Sequence, residues 1–221
     1  MKTRGAFRKF QLKAMGFTAI FIAPVVALVT KLIYGYPFPK SVSETGTIAN
    51  QTGQILPFGL GALVLFSLTY LITYAYDNLD KAFLSGMLAG FTMVAMQMCQ
   101  SGYITVDRVG ILGVSPAISH LIHCIGAVIG FGSMISWIMF CFRKSDKRRE
   151  EQTVEKRLRN TVYFWLGVAM IASLLLFVVD STGLFGSDFP IVYVCEAVML
   201  FLGGIACLIK GEMFFADKAV K

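Results

Sequence analysis

Apolar residues run along this chain in long stretches separated by short polar intervals. Six windows of membrane-crossing length can be laid on them: 14–34, 55–76, 82–101, 116–142, 161–180 and 190–209. A bilayer core about 30 Å thick takes about 20 residues of helix at about 1.5 Å each, so every window is long enough to cross. The fourth is long enough to tilt or to protrude. The runs lack period-two alternation and carry Gly, Ala, Leu and Met freely, which argues against β-barrel strands. The pattern predicts an all-α fold: a polytopic membrane protein whose six transmembrane helices form one bundle, with 1–221 as a single domain.

Composition points the same way. Hydrophobic residues make up 56% of the chain and charged residues only 15%, against an apolar share of roughly 45–50% in soluble domains. No polar interval reaches the roughly 40 residues that an independent core needs.

Charge orients the bundle. Lys2, Arg4, Arg8, Lys9 and Lys13 precede the first window, and eight more basic residues fill "RKSDKRREEQTVEKRLR" between the fourth and fifth. Of the 20 Lys and Arg, only Lys31, Lys40 and Arg108 fall on the other side. The positive-inside rule then makes both termini and the 143–160 loop cytoplasmic, and turns loops 35–54, 102–115 and 181–189 outward. Topology accounts for the net charge of +7, so no nucleic-acid partner is expected. The basic 143–160 loop is expected to attract anionic lipid and could scaffold a membrane-protein partner. The first window opens like a signal peptide but is longer than the roughly 7–15 residues of a signal core and lacks a clean small-x-small site, so a permanent anchor is expected. The five cysteines read as small buried apolar residues, with Cys141 at the cytoplasmic end.

The stretch "ISHLIHCIGAVIGF" holds the only two histidines, His120 and His123, on an otherwise membrane-buried segment. At about 1.5 Å per residue they lie roughly 6 and 10 Å below the outer end of the fourth helix. Glu196 lies at similar depth in the sixth, Asp180 caps the fifth, and Gln97 and Gln100 approach from the third, with Ser119 beside the histidines. A carboxylate at membrane depth costs up to about 2.5–3.5 kcal/mol unless protonated or paired, so Glu196 should face the interior. The histidines are its natural partners. The expectation is one outward-opening polar pocket formed by helices three to six.

That pocket has three readings: a hydrogen-bonded structural core, a lipid or small-molecule site, or a catalytic centre. For the last, His120 and His123 share a helix face and could hold zinc with Asp180 and Glu196. Two small-xxx-small spacings, "GMLAG" (Gly86 to Gly90) and "GAVIG" (Gly126 to Gly130), predict close packing of the third helix on the fourth. The loop "SVSETGTIANQTGQ" reads as turn-rich and carries one glycosylation sequon at Asn50.

"FPKSVSETGT" after a first helix, "HCIGAVIGFGSMISW" in the fourth and "VCEAVMLFLGGIACLIKGEMF" at the end together resemble the FRAG/DRAM/Sfk family of six-helix membrane proteins. Related small bacterial membrane proteins of unknown function share the layout. Ser43, Glu44, Thr45 and Gly46 match the family's loop motif, His123, Gly126 and Ala127 its helix motif, and Glu196 its last-helix Glu; Val42 stands where the pattern has Ile. Family members are implicated in autophagy control, maturation of GPI-anchored proteins and phosphoinositide-kinase regulation. The resemblance therefore implies lipid-linked regulation.

The function expected is a non-enzymatic integral membrane protein with an outer-leaflet polar pocket, binding membrane lipid or scaffolding a partner, with no resident cofactor. One alternative is a metal-dependent intramembrane lipid hydrolase or remodelling enzyme, resembling the zinc-using alkaline-ceramidase and adiponectin-receptor superfamily. That group has seven helices and three histidine ligands. The other alternative, a small transporter, would want polar residues through the full membrane thickness.

Overall fold

The computed structural model describes residues 2–35, 40–44, 58–97, 104, 106–146, 148–181 and 190–215. Among these the chain is all-α: α1 (Lys2–Tyr34), α2 (Phe58–Thr73), α3 (Asn78–Met96), α4 (Pro116–Ser136), α5 (Val154–Ser181) and α6 (Ile191–Lys210). A π-turn, Trp137–Cys141, prolongs α4, and a 3-10 turn, Arg149–Glu151, lies in the basic loop. Among the described residues, five stretches are long and apolar enough to cross a membrane: Gly5–Val29, Asn78–Met96, Pro116–Cys141, Val154–Asp180 and Ile191–Lys210. The described part of α2 is shorter, at 16 residues.

The helices differ from the apolar windows mainly at their ends. α1 begins at Lys2 and α5 at Val154, well before positions 14 and 161. Backbone hydrogen bonds propagate through Lys and Arg as readily as through Leu, so helix and apolar window need not end together. α3 begins at Asn78, not 82, because Asp77 caps it: its carboxylate accepts from the Asp80 N–H at 2.8 Å. Pro116 opens α4 in the first turn, where a missing N–H leaves no helical bond unmade.

Two crossings bring backbones close. A Cβ on Gly90 would lie 2.3 Å from Gly130 N and 2.6 Å from Gly126 O, so α3 and α4 pack backbone to backbone. α1 meets α6 likewise, since a Cβ on Gly204 would lie 2.7 Å from Gly16 O. Small residues admit this approach, and the contact is within one chain. Large apolar side chains on the outer faces, among them Leu28, Leu121, Leu175 and Phe201, remain exposed. Such a girdle suits lipid and would promote aggregation in water.

The bundle has two polar ends. At one, Lys9 pairs with Glu212 at 2.6 Å, Arg159 donates to the Phe215 carbonyl at 2.6 Å, and Lys144 pairs with Asp77. The start of α1, the basic loop and the segment after α6 therefore share one face. The 40–44 turn and the segment joining α3 to α4 lie at the opposite end, where Tyr193 N donates to Lys40 O at 2.9 Å and Ile111 N to Met96 O at 2.9 Å.

Candidate functional site

The site is built around the turn "KSVSE", residues 40–44. Ser41 Oγ accepts from the Glu44 N–H at 3.0 Å, while the Glu44 carboxylate reaches back to accept from Lys40 N at 2.5 Å. The closure is a variant of the capping box in which the Glu side chain reaches the residue before the Ser, and the S-x-x-E spacing at 41–44 permits it. The turn then docks on α6. Val42 N donates to Glu196 Oε2 at 2.6 Å, and the Ser43 N–H also bonds the Glu196 carboxylate. Two converging backbone donors thus supply the charged-group hydrogen bonds that a buried carboxylate requires. Tyr193 on the same helix anchors it to α1, its hydroxyl donating to Ala23 O at 2.8 Å.

The Ser43 side chain turns the other way, to α4. Its hydroxyl lies 3.0 Å from His123 Nε2, and His123 Nδ1 lies 2.9 Å from the Gln97 carbonyl. A carbonyl can only accept, so Nδ1 carries a proton; in the neutral ring Nε2 then accepts from Ser43. Ser41 Oγ, 3.2 Å from Ser43 Oγ, donates into the same chain. Gln97 extends it sideways, its Oε1 accepting from Ser119 Oγ at 3.0 Å. Gln97, Ser119, His123, Ser43, Glu44 and Glu196 are all buried.

Several expectations are refined. His123 and Glu196 share one polar layer but do not face each other: both His123 nitrogens are engaged elsewhere, and the Val42–Ser43 dipeptide bridges the pair. His120 is half-buried beside Cys124, whose Sγ lies 3.6 Å from its Nε2. Asp180 lies half-buried at the end of α5, outside the hydrogen-bonded set. Gln100, Thr45, Gly46 and the Asn50 sequon lie outside the described residues. Among the described residues no group of three or more His, Cys, Asp or Glu could hold a metal ion, so the set His120, His123, Asp180 and Glu196 is not brought together for zinc.

Below the turn an apolar cavity of about 130 Å³ opens between helices. Ile22, Val64, Phe91, Phe131 and Leu200 wall it from five different helices, and Ser43 and Glu196 also line it. Cavities of about this size walled by aliphatic and aromatic groups stay dry and take up apolar guests.

A second buried polar centre lies at the basic end, where the hydropathy windows show none. Asp80 accepts from Trp137 Nε1 at 2.7 Å and from Tyr76 N at 3.0 Å, and pairs with Arg8 at 3.5 Å. Arg8 also donates to Tyr74 O at 3.1 Å and lies 3.7 Å over the Tyr76 ring. Hydropathy windows start the third helix after Asp80 and so hide it. The missed signal was "DNLD", a cap followed by an acid in the first turn. Beside it the Lys144 ammonium, donating to Asp77, holds that exposed carboxyl below its usual range.

No protein-family model matches the chain, and neither a curated protein nor a solved structure does.

One prediction follows from the relay. Ser43→Ala and His123→Ala each remove one side of a buried hydrogen bond and strand the other. In a double-mutant cycle read by unfolding in detergent, the pair should show a coupling of about 0.5–2 kcal/mol. Additive losses would mean that the turn does not dock on α4 through this bond.

Proposed function

We propose that this chain is a six-helix integral membrane protein with both termini cytoplasmic, acting without catalysis by holding a membrane lipid in the cavity under the 40–44 turn. The observation that carries this reading is the form of the cavity: apolar walls supplied by five helices, with Ser43 and Glu196 in the lining. Part of an acyl chain fits these walls, with the hydrogen-bonded Ser43 and Glu196 closing one side. The segments behind the resemblance to the FRAG/DRAM/Sfk family add support, because Ser43, His123 and Glu196, far apart in sequence, converge on this place. Lipid-linked regulation follows if occupancy changes how the turn sits, since the turn ties α6 to α4.

The test is photo-crosslinking in lipid nanodiscs with a phospholipid bearing a diazirine in its acyl chain. Labelled peptides should map to the cavity walls, and filling it with Thr18→Phe or Val64→Phe should cut that labelling several-fold without lowering the unfolding temperature. Equal labelling in folded variants with a filled cavity would overturn the reading.

A further inference from the structure

The basic end carries a cavity of different chemistry. Arg143, Gln152, Arg157, Asn160, Thr161 and Phe164 line about 310 Å³ between the loop after α4 and the first turns of α5. Four of these fall at 157, 160, 161 and 164, the spacing that puts residues on one helix face. A volume many times the roughly 10–15 Å³ that admits one water calls for an organic group, not a single ion.

The lining specifies the group. Two guanidinium side chains and no carboxylate make the cavity a site for an anion, and paired arginines suit phosphate. The Arg143 guanidinium lies 5.3 Å from the Phe164 ring centre, which holds it over the cavity. Beside the arginines, the lining accepts. Asn160 Nδ2 donates to Gln152 Oε1 at 3.2 Å, while Asn160 Oδ1 is buried with no hydrogen-bond partner among the described residues. The Thr161 hydroxyl donates to Arg157 O at 3.2 Å, which leaves its oxygen free to accept. The complementary ligand carries a phosphate and, a few bonds away, a donor hydrogen.

Depth selects between a free phosphate ester and a lipid. Phe164 and Trp165 are exposed, Trp165 at 63%, immediately beyond the basic residues of α5. Aromatic side chains at such a boundary mark the membrane interface, the level of phospholipid headgroups. We propose that this cavity binds the headgroup of an anionic glycerophospholipid bearing a free hydroxyl, with the phosphate held by Arg143 and Arg157 and the hydroxyl donating to Asn160 Oδ1. The site shares the membrane placement of the proposed function but is independent of the apolar cavity.

The experiment titrates the full chain, purified in detergent, with phosphatidylglycerol, phosphatidic acid and phosphatidylcholine, reading bound lipid by native mass spectrometry. Phosphatidylglycerol should bind most tightly. Arg143→Gln with Arg157→Gln should weaken it roughly thirtyfold, the scale of two charge contacts at a membrane surface. Arg148→Gln with Arg149→Gln, a charge-matched control in the same loop, should weaken it far less. Asn160→Leu should erase the preference for phosphatidylglycerol over phosphatidic acid while keeping the preference for both over phosphatidylcholine. Equal losses in the two arginine pairs would mean diffuse attraction and overturn the site. So would full competition by millimolar glycerol phosphate, which would identify a soluble ligand. Loss of binding here with acyl-chain labelling intact under the 40–44 turn would separate this proposal from the apolar cavity.

Discussion

Replacing Asp80 with alanine is expected to remove about 3–5 kcal/mol of stability in detergent, the usual result of breaking one side of a buried ion pair. Arg8 and Asp80 are nearly inaccessible, with side-chain exposures of 4% and 5%. Without the carboxylate, the Arg8 charge stays buried against the Tyr76 ring and the Tyr74 carbonyl, while Trp137 Nε1 and Tyr76 N lose their acceptor. Three elements separate at once, because this carboxylate ties the start of α1 to the turn before α3 and to the end of α4. Removing both charges is different. Arg8→Met with Asp80→Leu leaves no uncompensated ion, and should recover more than half of the single-variant loss even though Trp137 stays unpaired. Chemical unfolding of the three variants decides it. A loss below about 1 kcal/mol for Asp80→Ala, the scale of an exposed pair, would place the carboxylate in water.

Much of this architecture is legible in the hydropathy pattern because lipid-facing helices need apolar side chains on nearly every face. Leu28, Leu121 and Leu175 remain exposed and still belong to helices that the windows find. What the windows miss is set by local bonds that a running average removes. The Asp77 cap moves the start of α3 so that Asp80 enters the bundle, although its neighbours read as a polar interval. Depth counting put His123, Gln97 and Glu196 in one layer, and they do lie in one. It could not show that Glu196 and His123 meet only through Val42 and Ser43. That arrangement depends on how Ser41 and Glu44 close a turn outside every window. Of the two histidines, His123 bridges Ser43 and Gln97, while His120 packs beside Cys124.

Gly90→Leu should be almost as disruptive as the loss of Asp80, for a reason unrelated to charge. The added Cβ would stand 2.3 Å from Gly130 N and 2.6 Å from Gly126 O, both backbone atoms of α4 that no rotamer change can move aside. The helices must part. Overpacking a tight contact costs about 1–3 kcal/mol and occasionally more, and the upper end is expected where the obstacle is main chain. The damage should extend along the pair to the polar layer, because α3 ends at Gln97 and α4 carries Ser119 and His123, which bond to it. Gly132→Ala on α4 is the control. Nothing lies within 4 Å of a Cβ there, so this change should stabilise by up to about 1 kcal/mol through helix propensity alone. Unfolding in detergent should therefore move in opposite directions for the two variants. Adding Ser43→Ala to Gly90→Leu should cost little more, because the parted helices have already released the His123 relay. A full, undiminished cost for Ser43→Ala in that background would show that the α3–α4 crossing and the turn are independent, and that the glycines do not position the site.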